Sequence, residues 1–340
     1  MKIFLSAMML ISVLSSHAQN EDDKTNSING EDRIFLHGGI ERTYKIYRPK
    51  NLPSNAPMVF LLHGQGSSNR WTYITGFNEL SEKYGFLAVY PQSHKKEARL
   101  DGALAKQTGM PQHLIPMFEK IAECQKGELF SFMAMDFSCK SNGIGVTRVV
   151  MWNETNEDSL FDGQSDIAFL TSLGSTLQEN FQIDPSKIYV AGFSNGGFMT
   201  YSLICQEKSI FKAAAVVAGL IDKTTFQNCT QRTTPLIHFH GAEDSMVPIE
   251  GNNTQGSPSA KDIVEYFAYL NDSLIIEKTQ VNANTQRTIY SPQIGGTEVQ
   301  YYRIENHDHV WPGRPNEITK IMDDSGLHAT ELIWEFFAKL

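Results

Sequence analysis

The chain has 340 residues, 41% hydrophobic and 11% aromatic, enough apolar side chain to fill one large core or two modest ones. Against 38 Asp and Glu stand 29 Lys and Arg, a formal net charge of −9 that argues against nucleic acid as a partner. This composition excludes a disordered chain, and no run beyond the N-terminal stretch is long and apolar enough to span a bilayer.

Lys2 precedes an apolar run from Ile3 to Leu14, after which the small residues Ser16 and Ala18 flank a cleavage point. Residues 1–18 therefore read as a secretory signal peptide. The rival reading, a membrane anchor, asks for about 20 apolar residues, more than this run supplies. Removing the leader takes away Lys2 alone and moves the charge from −9 to −10. Residues 19–33 are polar and aperiodic, a flexible lead-in, so the folded catalytic domain is expected over 34–340.

Next, "RIFLHGGIERTYKIYRP" predicts a hairpin around Gly38 and Gly39. "MVFLLHG" (58–64) and "FLAVYP" (86–91) are continuous apolar runs, the pattern of parallel strands buried on both faces. Between them "WTYITGFNELSEKYG" has helical spacing and stops at Gly85, a C-cap. A helix from about Ser165 to Phe181 leads to the strand "KIYVAG" (187–192), a helix opening at Asn195, and strands at 213–219 and 235–241. The final helix, "HATELIWEFFAKL", carries Leu332, Ile333, Phe336 and Phe337 on one face. Repeated strand, helix, strand units predict an α/β fold, a mostly parallel sheet covered on both faces.

Ser194 sits in "GFSNGG", between that strand and the helix at Asn195. Gly192 and Gly196 flank it at two residues on either side, because side chains there would collide across so sharp a turn. The spacing is that of a nucleophile elbow, which lifts the hydroxyl above the sheet and aims the helix N-terminus at an oxyanion. A serine becomes a nucleophile when a histidine takes its proton and a carboxylate orients that histidine. Downstream, "HFHGAEDSMVP" offers Asp244, with Glu243 as its close rival, in the loop leaving an apolar strand. "YYRIENHDHVWPG" offers His309, with His307 as rival, at the end of another.

The oxyanion of an acyl-transfer intermediate needs two donors. The backbone N–H of Asn195 is one candidate, and Gln65 in "HGQGSS" is the other; the bland reading of that second stretch is an ordinary glycine turn. His63 reads as a structural brace for the same loop. The H-x-H pairs at His238/His240 and His307/His309 raise a zinc alternative, against which strand histidines hydrogen-bonded to loop carbonyls are the simpler reading. Four cysteines fit two disulfides of an oxidising compartment; four allow three pairings, among which neighbours in sequence, Cys124–Cys139 and Cys205–Cys229, are the expected partners. Each bridge would contribute about 3 kcal/mol in the chain-entropy model. No C-x-x-C motif marks a metal site.

"RTYKIYRP", "LLHGQGSS", "DPSKIYVAGFSNGGFMTYSLIC", "HFHGAEDSMVP", "HDHVWPG" and "ATELIWEFF" together resemble a secreted α/β-hydrolase family. It is the family of polyhydroxybutyrate depolymerases and feruloyl or acetylxylan esterases, of carbohydrate esterase family one type. The likeness spans about half of the chain, residues 42–91, 165–248 and 299–340. It implies an α/β-hydrolase fold, a cofactor-free serine esterase, a triad of Ser194, Asp244 and His309, and a Cys205–Cys229 bridge. The implied substrate is a plant cell-wall carbohydrate ester, with a polyester as alternative, a peptide as a poorer one, and a non-catalytic carbohydrate-binding protein as the reading from another class.

Two departures from that family stand out. "ENHDH" replaces the usual glycines before the base, which keeps His307 in contention. Residues 92–163 are an insertion, rich in Met and Phe around Cys124 and Cys139, expected either as a lid over the acyl group or as a satellite core. Trp311 beside His309 is assigned to substrate binding, with packing under its loop as the competing role.

Overall fold

The computed structural model describes residues 30–70, 75–102, 115–132, 135–153, 166–230, 234–251, 256–314, 323 and 325–340. The signal-peptide expectation lies outside them. The lead-in ends sooner than the sequence indicates, because β1 (Glu31–His37) already pairs with β2 (Ile40–Tyr47) from Glu31 onward. Asp32 lies opposite Lys45 in this register and binds its Nζ at 2.7 Å, so residues 31–33 belong to the folded body. The turn of this hairpin is at Gly38 and Gly39, whose φ values of 58° and 80° lie in the left-handed region that glycine enters at least cost.

The remaining strands of the large sheet are β3 (Met58–Leu62), β4 (Leu87–Pro91), β9 (Ile188–Phe193), β10 (Ala213–Val217), β11 (Leu236–Gly241), β12 (Ile275–Asn282), β13 (Thr285–Ser291) and β14 (Val299–Ile304). Strands β5 (Lys95–Asp101), β6 (Leu129–Phe132), β7 (Met135–Ser141) and β8 (Ile144–Val150) form a separate antiparallel sheet. The large sheet has ten strands in the order β1-β2-β4-β3-β9-β10-β11-β14-β13-β12. Its centre, from β4 to β14, is parallel, and antiparallel hairpins finish both edges.

Buried alternation explains the apolar runs. Met58, Phe60 and Leu62 of β3 enter one core, while Val59 and Leu61 enter the other. The first core is roofed by α3 (Asp166–Asn180), α4 (Asn195–Ile204) and α6 (Ala260–Leu270), with Leu173, Met199 and Phe267 among its members. The second is covered by α1 (Phe77–Tyr84) and α7 (Ala329–Phe337), through Phe77, Ile333, Trp334 and Phe337. Helix α1 ends where expected, on Gly85 at φ 73°, whose N–H bonds Ser81 O at 2.8 Å. Two further helices are α2 (Ile115–Glu123) and α5 (Lys223–Asn228). Both cysteine pairs are joined as expected, Cys124 to Cys139 and Cys205 to Cys229.

The insertion has a core of its own. Met117, Ile121, Cys124, Phe130, Phe137 and Cys139 are buried together, apart from the two main cores. Phe130 and Phe137 are cross-strand partners whose rings stack at 5.0 Å. Those two rings therefore pack the insertion itself rather than covering another surface.

Candidate active site

Ser194 is placed by local sterics. It follows β9 at φ 55° and ψ −123°, a conformation that costs a non-glycine residue of order 1–3 kcal/mol and persists only where its surroundings enforce it. Its N–H donates to Val217 O at 2.9 Å, and its carbonyl accepts the N–H groups of Gly197 and Phe198 at 2.8 and 3.1 Å. A side chain on Gly192 would lie 2.0 Å from Gly196 O, and one on Gly196 would lie 2.2 Å from Leu62 O. Both glycines are thus required by the crossing of α4 over β9 and β3.

Asp244 and His309 come together from the loops after β11 and β14, two neighbouring parallel strands. His309 Nδ1 lies 2.8 Å from Asp244 Oδ2, and the other carboxylate oxygen accepts Met246 N–H at 3.0 Å and Val247 N–H at 2.7 Å. The His309 ring packs 4.8 Å from the ring of Phe193, the residue before Ser194. All three side chains therefore occupy the carboxyl edge of the parallel strands, where open α/β sheets bind ligands. Glu243 is exposed and is not the partner of His309. His307 is turned away: its Nε2 donates to Val310 O at 3.2 Å and its Nδ1 lies 3.9 Å from Asp323.

Asp308, which the sequence did not single out, ties the two loops together. One of its oxygens accepts Ser245 N–H at 2.9 Å, the Ser245 hydroxyl at 2.9 Å and His309 N–H at 2.7 Å. Burial opposes its ionisation, but these hydrogen bonds prevail and hold its carboxyl below the usual range.

The histidines of β11 brace the acid. Tyr201 hydroxyl donates to His238 Nδ1 at 2.7 Å, His238 Nε2 donates to His240 Nδ1 at 3.0 Å, and His240 Nε2 donates to Val247 O at 2.8 Å. This one-directional chain uses neutral rings, and burial accordingly pushes both imidazoles down, His238 well below its usual range. His240 thus meets a loop carbonyl, as expected, whereas His238 meets a tyrosine and a histidine. Among the described residues no group of three or more His, Cys, Asp or Glu is arranged to hold a metal ion.

His63 is the structural brace expected. Its Nδ1 donates to Gly64 O at 2.8 Å, and its Nε2 accepts Ser93 N–H at 3.1 Å and Gln92 Nε2 at 3.0 Å. Desolvation keeps it neutral, with its pKa pushed down to about 4. The loop it supports passes close to the elbow: a side chain on Gly64 would lie 3.3 Å from Ser194 Cβ. Gly66 N–H is bonded to Val150 O at 2.7 Å, and Gln65 is exposed between the two glycines of this turn. Asn195 opens α4 directly after Ser194.

Trp311 corrects an expectation. It is 2% exposed, its Nε1–H donates to Thr330 Oγ1 at 3.1 Å, and its ring packs near Phe77 and Phe193. A side chain so enclosed supports the base loop from beneath and presents no face to substrate.

The chain resembles known proteins in both sequence and fold. The Prolyl oligopeptidase family profile matches residues 162–233, the segment that contains the elbow. A bifunctional acetylxylan esterase/xylanase of Neocallimastix patriciarum is 21% identical over 210 residues, 62% of this chain and 22% of that protein. A probable feruloyl esterase C of Aspergillus clavatus is 27% identical over 117 residues, 34% of this chain and 42% of that protein. Poly(3-hydroxyalkanoate) depolymerase C of Paucimonas lemoignei is 23% identical over 171 residues, 50% of this chain and 30% of that protein. The chain thus spans less than half the length of these curated relatives. An acetyl xylan esterase from Aspergillus awamori superposes with a TM-score of 0.54 at 15% identity, over 92% of this chain and all of that one. Esterase 2 of Thermogutta terrifontis does so at 0.53 and 12% identity, over 92% and 94%. The chain has the α/β-hydrolase fold and is related to proteins named as acetylxylan esterases, feruloyl esterases and poly(3-hydroxyalkanoate) depolymerases.

Proposed function

We propose that this chain is a serine hydrolase of carboxylic esters that works through an acyl-enzyme. The observation that carries the reading is the strained elbow at Ser194 on the same sheet edge as a buried His309–Asp244 pair 2.8 Å apart. Ser194 attacks the ester carbonyl while His309 Nε2 takes its proton. Asp244 holds the Nδ1–H tautomer and stabilises the imidazolium. The N–H groups of Gln65 and Asn195 receive the oxyanion, and His309 returns its proton to the leaving alcohol. Water, activated by the same histidine, then releases the acid.

The substrate class proposed is an ester on plant cell-wall carbohydrate, acetyl or feruloyl, in line with the names of the relatives. A polyester is the second reading, favoured by the depolymerase relative. The apolar leader at residues 1–18 and the two disulfides support export, with the catalytic domain following the leader and its polar lead-in. Hydrolysis of methyl ferulate, acetylated xylan and polyhydroxybutyrate, compared side by side in wild type and Ser194→Ala, tests both levels. Wild-type turnover by the alanine variant would remove the mechanism, and preference for the polyester would replace the carbohydrate reading.

A further inference from the structure

Residues 150–153, in the second half of the insertion, touch both the loop after β3 and the start of α4, the elements assigned the oxyanion donors. Val150 O accepts Gly66 N–H at 2.7 Å. Trp152 is fully buried; its indole Nε1–H donates to His63 O at 2.8 Å, and its ring lies 5.0 Å from the His63 ring. Its backbone N–H donates to Asn195 Oδ1 at 2.6 Å, while Asn195 Nδ2 donates back to Trp152 O at 3.4 Å. Asn153 N–H donates to Asp166 Oδ2 at 2.8 Å, and Arg42 donates to the other oxygen of that carboxylate at 2.7 Å. Arg42 also reaches Gln92 O, at 3.3 Å, so the start of the insertion and Asn153 are anchored at one buried ion pair.

We propose that Trp152 is a positioning residue for the oxyanion hole, and that the insertion serves to hold it there. The two donors come from different elements, Gln65 from the loop after β3 and Asn195 from the start of α4. Strand pairing between β3 and β9 fixes these elements only up to Leu62 and Gly192. Beyond that point Trp152 bridges them, with its indole on His63 and its backbone on Asn195. Oxyanion donors act at 2.7–3.1 Å from the developing charge, and displacement by about 1 Å costs on the order of a hundredfold in rate. Trp152 touches neither substrate nor oxyanion in this account; it sets the separation of the groups that do.

This inference rests on the esterase reading, and the experiment separates the two. The variants are Trp152→Phe, which keeps an aromatic ring and loses the indole N–H, and 3-benzothienylalanine at position 152, which replaces that N–H by sulfur at nearly the same shape. Each is compared with wild type for kcat and KM on p-nitrophenyl acetate, for inhibition by a methyl trifluoromethyl ketone whose hemiketal oxygen occupies the hole, and for Tm. The expected result is a fall of about 10- to 100-fold in kcat with KM changed less than about twofold, and ketone affinity lost in the same proportion as kcat/KM. The isostere retains the packing, so a phenylalanine variant that fails to fold leaves the comparison intact. Variants that lose stability while kcat and ketone affinity stay at wild-type values overturn the inference alone. A wild-type protein inert to the ester and indifferent to the ketone removes the esterase reading and this inference together.

Discussion

Replacing Asp244 by Asn should be more damaging to activity than replacing it by Ala, and less damaging to stability. In the folded protein one carboxylate oxygen accepts two backbone N–H groups, from Met246 and Val247, while the other faces His309 Nδ1 at 2.8 Å. An asparagine must put its carbonyl oxygen at the first position, since an NH2 group there would oppose two donors. Its NH2 then points at His309 Nδ1 and forces that nitrogen to accept. The remaining proton moves to Nε2, the atom that has to receive the proton of Ser194. Loss of the correct tautomer lowers kcat by about 10⁴-fold, equivalent to about 5 kcal/mol of barrier, with Tm little changed. Alanine leaves His309 free to adopt either tautomer but deprives two backbone donors of their acceptor, at about 1–3 kcal/mol each. Initial rates on p-nitrophenyl acetate together with thermal melts of both variants give the comparison. An asparagine variant within tenfold of wild type, or one more active than the alanine variant, would refute the assignment of Asp244 as orienter of His309.

Gly192→Ala places a Cβ 2.0 Å from Gly196 O and 2.5 Å from Thr200 Oγ1, so it should destabilise at the top of the range for single substitutions, roughly 4–5 kcal/mol. An alanine variant melting with wild type would contradict the packing described for the elbow. Trp311→Phe removes the hydrogen bond to Thr330 from an enclosed ring and should cost about 1 kcal/mol of stability at unchanged KM; a raised KM at unchanged Tm would restore Trp311 as a substrate contact. Acidification should weaken the fold through His63, whose pKa is pushed down to about 4 by burial while the unfolded chain keeps about 6.5. Between those values the unfolded state binds the extra proton, so stability falls as pH drops through this window, by about 3 kcal/mol from this residue, and His238 and His240 act in the same direction. Denaturant midpoints at pH 7 and pH 4.5 measure it, and equal midpoints would rule it out.

The central strands and the elbow were determined by the sequence alone, because their constraints are local. A strand buried on both faces must be apolar throughout, as "MVFLL" is, and a strand that turns at once into a helix must have glycine at 192 and 196. The hairpin of β12 and β13 had no such signal, since its outer strand is largely exposed and reads as mixed polar. The four strands of the insertion were equally silent; Phe130 of β6 and Phe137 of β7 serve a small core rather than a regular buried face.

Choices between neighbours were left to tertiary structure. Glu243 and Asp244 differ by one position on a loop, and only the folding of that loop against His309 buries one and exposes the other. His307 and His309 follow the same strand two positions apart, and the turn between them sends one to Val310 and the other to Asp244. Trp311, beside the base, is enclosed as packing, whereas Trp152, which no sequence pattern singled out, bonds both the end of the loop after β3 and the start of α4. Chain spacing carries no record of such contacts, because they form between segments up to 89 residues apart and depend on where the sheet edge brings the loops together.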